Sequence, residues 1–209
     1  MKIINSSSII RQKDGETLMD EQELINGAAA GNMRAFEELI IPFEKPVYNF
    51  CLRMLGDSRD AQDVSQEVFI KIYKSIKNYR SRFDGSFKCW LYRVANNACI
   101  DEMRKRKSRL KPESLDAAYE TEGGDMGRQF VSPGKTPEDI AIEKERRAAI
   151  KKAISSLPAD FRRMIVLREM QGLSYEEISN ITGIKIGTVK SKISRARDML
   201  REQIKKTCV

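Results

Sequence analysis

Apolar residues recur every three or four positions along most of the chain, and two-residue alternation is nearly absent. That pattern predicts an all-α protein. A first helix is expected from Asp20, with Leu24, Ile25, Ala28 and Ala29 on its apolar side and Gly31-Asn32 as its break. A second begins near Met33 with Phe36, Leu39 and Ile40 inward, and Pro42 should interrupt or kink it. Pro46 can open a third, with Val47, Phe50, Cys51, Met54 and Leu55 inward, which Gly56-Asp57 stops. Residues 59–77 read as a longer helix built on Ala61, Val64, Val68, Ile72 and Ile76. A loop over 79–86, marked by Asp84-Gly85, precedes a helix from about Phe87 to Arg109 with Phe87, Leu91, Val94, Ala98 and Cys99 inward.

The pattern then lapses. Residues 111–135 hold Pro112, Gly123-Gly124, Gly127 and Pro133-Gly134 among several acids, and read as a flexible, locally acidic linker. Thr136-Pro137-Glu138-Asp139 restarts helix with a cap, a first-turn proline and acids at the positive end. Leu157-Pro158 opens the next helix, with Phe161, Ile165, Val166 and Met170 inward, and Gly172 closes it. From Leu173 to Leu200 two helices flank a tight turn. Ser174 and Glu177 have capping-box spacing, Ile178 and Ile181 give a buried edge, and Gly183 ends the first helix. Val189, Ile193, Ala196 and Leu200 form the inner face of the second. The chain thus divides into a leader (1–19), a helical domain (20–110), the linker (111–135) and a second helical domain (136–206).

The polar positions carry the candidate chemistry. On the 173–200 pair, Lys190, Ser191, Ser194 and Arg195 face away from the apolar side, with Lys192 and Arg197 flanking them. A helix of this kind fits the major groove of DNA, although a surface hairpin with a solvated basic face shows the same spacing. In the first domain, Arg93, Asn97, Asp101 and Arg104 or Lys105 recur on one helix face, and Trp90 and Tyr92 flank its start. Asparagine is a poor mid-helix residue for a merely solvated face. Aromatics beside amides and arginines suit single-stranded nucleic acid, which needs stacking, edge reading and phosphate contacts. Asp60, Asp63, Gln66 and Glu67 gather on another exposed segment, where complementing the helix dipole and docking a partner are equally good explanations.

Composition narrows these readings. The formal charge is +8 and the pI near 9.3, which favours an anionic partner. There is no histidine, which removes histidine-based catalysis and imidazole zinc sites. Cys51, Cys89, Cys99 and Cys208 are scattered, so buried reduced thiols are expected, with no metal and no cofactor, in the cytoplasm. No run approaches the roughly 18 apolar residues of a membrane span, and residues 1–19 have no signal-peptide pattern.

Taken together, Asp60-Ala-Gln-Asp-Val-Ser-Gln-Glu-Val-Phe69, Phe87-Lys-Cys-Trp-Leu-Tyr-Arg-Val-Ala-Asn-Asn97, Ile100-Asp101 with the basic run after it, and Gly187-Thr-Val-Lys-Ser-Lys-Ile-Ser-Arg-Ala-Arg197 resemble the sigma-70 family of bacterial transcription initiation factors. The likeness is to the compact extracytoplasmic-function group, which keeps regions two and four. The resemblance implies a promoter-specificity subunit that is not an enzyme, with core RNA polymerase and promoter DNA as partners and an anti-sigma factor as a further one. Asp60, Asp63, Gln66, Glu67 and Phe69 would then dock on the polymerase clamp helices. The 79–86 loop, with Phe83, would receive a flipped base of the minus-ten element. Trp90, Tyr92, Arg93, Asn97, Asp101, Arg104 and Lys105 would open, read and hold that strand. Lys190, Ser191, Ser194 and Arg195 would read the minus-thirty-five duplex, with Lys185, Thr188, Lys192 and Arg197 on phosphates. A stand-alone helix-turn-helix regulator would explain the second domain but leaves the Asn97 stripe without a purpose. A recombinase or nuclease would need strand alternation that residues 1–109 lack.

Overall fold

A computed structural model describes residues 20–79, 86–109 and 137–207. The leader, the linker and loop residues 80–85, with the Phe83 expectation, lie outside them, as does Cys208. Among the described residues every regular element is helical. In order these are α1 (Glu21–Ala29), α2 (Met33–Leu55), α3 (Ser58–Ser75) with a 3-10 turn at Ile76–Asn78, and α4 (Phe87–Arg109). The second domain continues with α5 (Pro137–Ser156), α6 (Ala159–Ile165) running into a π-turn (Val166–Met170), α7 (Tyr175–Thr182) and α8 (Ile186–Thr207).

Of the two outcomes expected at Pro42, an interruption or a kink, the interruption does not occur, and Pro46 opens no new helix. Pro42 and Pro46 both lie inside one continuous α2. Proline supplies a helical φ but no N–H, so its cost falls on the backbone ladder. Here buried Phe36, Leu39, Val47, Phe50, Cys51 and Met54, bridged by half-buried Phe43, form one apolar stripe past both positions, and Pro42 itself faces solvent. Burial along that stripe outweighs the missing donors. Asn32 starts α2 by accepting from the backbone N–H of Arg34 and Ala35 at 3.1 and 3.3 Å. Asp57 caps α3 in the same way, at 2.8 and 3.0 Å from Arg59 and Asp60 N–H.

In α3 the expected positions Ala61, Val64, Val68, Ile72 and, in the 3-10 turn after it, Ile76 are buried, and Ser65 joins them. In α4 they shift slightly: Ala95 is buried and Val94 only half-buried. A larger departure occurs after α6. Met164, Ile165, Val166 and Leu167 are all buried, whereas Met170 is exposed. The π-turn accounts for this, because each wider turn holds one residue more and rotates the later residues off the 3.6-residue register. Leu167 therefore takes the inward place expected of Met170.

Candidate nucleic-acid interface

In the first domain, Phe87 anchors α4 and gathers an aromatic cluster at the two ends of the 80–85 loop. Its ring lies 5.6 Å from Phe43, 5.9 Å from Tyr79 and 5.7 Å from Trp90. Tyr79 and Trp90 are 4.9 Å apart, tilted by 41°. Trp90 is half-buried, so it serves both packing and surface. One turn on, Arg93, Asn97, Asp101, Arg104 and Lys105 are all exposed, which brings the predicted stripe together on one face. Arg104 lies 3.6 Å from Asp101, and Lys105 lies 3.5 Å from Glu102.

Tyr92 does not join that face. It is 1% exposed, stacks edge-on against Phe50 at 5.6 Å, and donates its hydroxyl to Gln171 Oε1 of the second domain. Burial pushes its phenol well above the ordinary tyrosine range. The expectation that it contacts DNA fails for this conformation, because helical spacing alone leaves its side undetermined between the core and the stripe. Asn96 is not among the residues that sequence singles out. It is 1% exposed, its Nδ2 donates to Asn97 Oδ1 at 3.3 Å, and its own Oδ1 has no hydrogen-bond partner. The Asn96-Asn97 doublet, with one amide beside an apolar arc, is the available signal.

On α3, Asp63, Gln66 and Glu67 are exposed, and Phe69 is half-buried against the core. Glu67 lies 2.8 Å from Lys71. The hydrogen bond from Lys71 holds the Glu67 carboxyl below its ordinary range, with Lys105 of α4 adding to it. Asp60 departs from the polymerase-docking expectation. Arg106 of α4 pairs with it and also donates to Leu55 O at 3.1 Å, so Asp60 braces α4 against α3. Ile70 is 52% exposed and Tyr73 39%, extending the α3 face by apolar surface that a pattern of acids does not reveal.

The second reading surface is built by α7 and α8. The capping box forms as expected: Glu177 N–H donates to Ser174 Oγ at 3.1 Å and Ser174 N–H to Glu177 Oε2 at 2.8 Å. Gly183 takes φ 69°, a left-handed value that side chains disfavour, and the Ser179 hydroxyl pins the turn by donating to Ile184 O at 2.6 Å. Val189, Ile193 and Ala196 are buried, and Lys185, Thr188, Lys190, Ser191, Ser194 and Arg195 are exposed. Lys190 and Arg168 approach the Tyr175 ring at 5.6 and 4.5 Å. Lys192 and Arg197, expected on phosphates, are held elsewhere. Lys192 lies 2.9 Å from Asp160, and Arg197 donates to Glu169 Oε1 from Nε at 3.0 Å and Nη2 at 2.6 Å. Both sit on the flanks of α8, where acids on the α6 segment reach them.

The two domains touch. Lys88 Nζ donates to Gln171 O at 2.7 Å, Cys89 Sγ lies 3.7 Å from Glu177 O, and Arg162 Nη1 donates to Met54 O at 2.8 Å. Arg93 of α4 and Ser179, Asn180, Gly183, Ile184 and Lys185 line a shared open groove. The described residues contain no cluster of metal-ligating side chains, and no described helix is long and apolar enough to cross a membrane.

With both faces located, known proteins supply the family. The family model for sigma-70 region 2 matches residues 39–109, and that for sigma-70 region 4 matches residues 147–200. The ECF RNA polymerase sigma factor SigW of Bacillus subtilis is 38% identical over 176 residues, covering 84% of this chain and 91% of that one. The chain belongs to the sigma-70 family, as an extracytoplasmic-function sigma factor. The RNA polymerase sigma-H factor of Pseudomonas aeruginosa is 34% identical over 184 residues, covering 88% and 93% of the two chains. Among solved structures, the sigma factor RpoE of Bartonella quintana, in complex with the anti-sigma factor NepR, superposes with a TM-score of 0.61 at 26% identity, covering 83% of this chain and 98% of that one. Region 2 thus holds α4, and region 4 holds the α7–α8 pair.

Proposed function

We propose that this sigma factor directs core RNA polymerase to its promoters by a divided grip, one domain on melted strand and the other on duplex. The observation that carries this reading is the exposed α4 stripe of Arg93, Asn97, Asp101 and Arg104 beside the Tyr79–Phe87–Trp90 cluster, in one chain with the exposed α8 face. Flat aromatic and amide groups suit unpaired bases, with stacking worth about 1–3 kcal/mol per base. Melting costs about 1–2 kcal/mol per base-pair step, so capturing a few bases offsets much of it. On α8, Lys190, Ser191, Ser194 and Arg195 read base edges in the major groove, and Lys185 and Thr188 hold phosphates. Asp63, Gln66, Glu67 and Phe69 of α3 dock on polymerase. Residues 20–110 and 136–206 are the working domains, and 111–135 is the tether between them.

The protein works in the cytoplasm, has no catalytic centre of its own, and is held in check by an anti-sigma protein, as the Bartonella relative's complex suggests by analogy. Run-off transcription with purified core polymerase on genomic fragments tests the reading. New start sites that appear only with this protein are expected. Tight DNA binding alone, without any redirection of core, would return the chain to the class of stand-alone helix-turn-helix regulators.

A further inference from the structure

Two adjacent amides of α4 have opposite surroundings. Asn96 is 1% exposed, whereas Asn97 is open to solvent in the middle of the reading stripe. Asparagine at a buried mid-helix position is costly on three counts. Its helix propensity is low, its amide is desolvated, and here its Oδ1 finds no hydrogen-bond partner among the described residues. The residues around it on the helix, Tyr92, Ala95 and Cys99, are all buried, so an apolar side chain would suit the position better. What Asn96 does supply is a donor. Its Nδ2 reaches Asn97 Oδ1 at 3.3 Å, and among the described residues its side chain makes no other hydrogen bond. A local breach of the packing rules beside an exposed polar stripe is expected where function requires the residue.

The bond has a chemical consequence. An exposed asparagine amide turns about its last torsion between two orientations of similar energy, one presenting oxygen and the other N–H. Left to itself, it pairs with donors and acceptors alike. The Asn96 donor favours the orientation in which Asn97 Oδ1 lies toward it, and Asn97 Nδ2, which no described residue engages, is left for a ligand. The stripe on either side already divides its roles: Arg93 brings donors one turn before, and Asp101 an acceptor one turn after. Asn96 and Asn97 are neighbours in one helix, so their bond is independent of how the two helical domains are placed.

We propose that Asn96 is a positioning residue that sets Asn97 as a donor, so that Asn97 recognises a keto base, guanine or thymine, in the captured strand. The inference deepens the sigma-factor reading and rests on it. Guanine O6 and thymine O4 accept from an N–H, whereas adenine N6 and cytosine N4 at the corresponding place are donors and would face the Asn97 donor unpaired.

The test uses holoenzyme assembled from the full chain and core polymerase, on a promoter found by run-off transcription. Each position of the melted strand is carried in turn as guanine, thymine, adenine or cytosine, and the position whose preference is lost in Asn97→Ala is the one Asn97 reads. There the wild type should favour keto over amino bases by roughly tenfold in open-complex formation, within the range of a well-made base contact. Asn96→Leu should keep wild-type helicity and core affinity and lose most of that preference. Asn96→Ala, which is smaller and cannot clash, carries the same expectation. In an Asn97→Ala background, Asn96→Leu should change the preference no further, because it acts through Asn97. Four results would overturn the inference while leaving promoter selection intact: no position responding to Asn97→Ala, a wild-type preference for amino bases, folded Asn96 variants whose preference is unchanged or whose loss is uniform over all four bases, or an added effect in the Asn97→Ala background. Failure of the wild type to direct core to any promoter would overturn the sigma reading, and the inference with it.

Discussion

The exposed faces of α4 and α8 are both basic helices, yet they are built for different targets. The α4 face mixes an amide, a carboxylate and arginines, and an aromatic cluster stands one turn before it. The α8 face is serine, threonine, lysine and arginine without an aromatic ring, and its apolar side packs tightly on its own domain. Rings are useful only where bases have left the stack, and short hydroxyls and forked guanidinium groups suit a groove whose bases are still paired. The contrast teaches that net charge identifies a nucleic-acid partner, and only the uncharged neighbours of the cations say which form of it is read.

Removing Phe87 should break the comparison most severely. Phe87→Ala empties a core position beneath Trp90 and Tyr79 and should cost about 3–5 kcal/mol of stability. Chemical denaturation should show that loss, and permanganate footprinting should show strand capture failing. Next in size is a crossed pair. Asn97→Ala should weaken open-complex formation and Arg195→Ala upstream duplex recognition, each by about 1–3 kcal/mol. Equal effects of both variants on both steps would erase the division between the faces. A gentler change sharpens it: Glu169→Gln releases the Arg197 guanidinium from its carboxylate. The salt dependence of duplex binding should steepen by about one phosphate contact, with strand capture unaltered. The smallest effect concerns Asp160, whose carboxyl is held below its ordinary range, chiefly by the hydrogen bond from Lys192 and further by Arg163. A lowered carboxylate stabilises the fold above its unfolded value and loses that contribution as the pH falls through the lowered one. Asp160→Asn should therefore lower Tm slightly at neutral pH, and the difference from wild type should shrink and vanish as acid protonates the Asp160 carboxyl in the folded state.

Much of the fold was legible because its signals are local. The capping box at Ser174 and Glu177, the left-handed Gly183 and the apolar stripe of α3 depend on residues within one or two turns of each other. The departures have long-range causes. Two prolines read as a break because sequence shows the missing donors but not the buried stripe that outweighs them. Tyr92 sits between two arcs of α4, and Phe50, 42 positions back, together with Gln171, 79 positions along, decides which one it joins. Asp60, Lys192 and Arg197 read as surface charges because their partners Arg106, Asp160 and Glu169 lie 28 or more positions away. The stripe of α4 was recoverable because exposed polar residues are arranged by their own helix. The flanking ion pairs were not, because they are arranged by a neighbouring one.

The π-turn at Val166–Met170 bears on how this family member tolerates change. It acts as a phase shift in the helix: Gln171 N–H closes it by donating to Val166 O at 3.2 Å, and everything after it is rotated relative to α6. A chain lacking one of the apolar residues there would keep its net charge and the sequence of both helices of the reading pair. It would nevertheless turn Gln171 away from α4. Length variation within five residues is thus a route by which relatives could retune how firmly the two halves hold each other while leaving every DNA-facing side chain as it was.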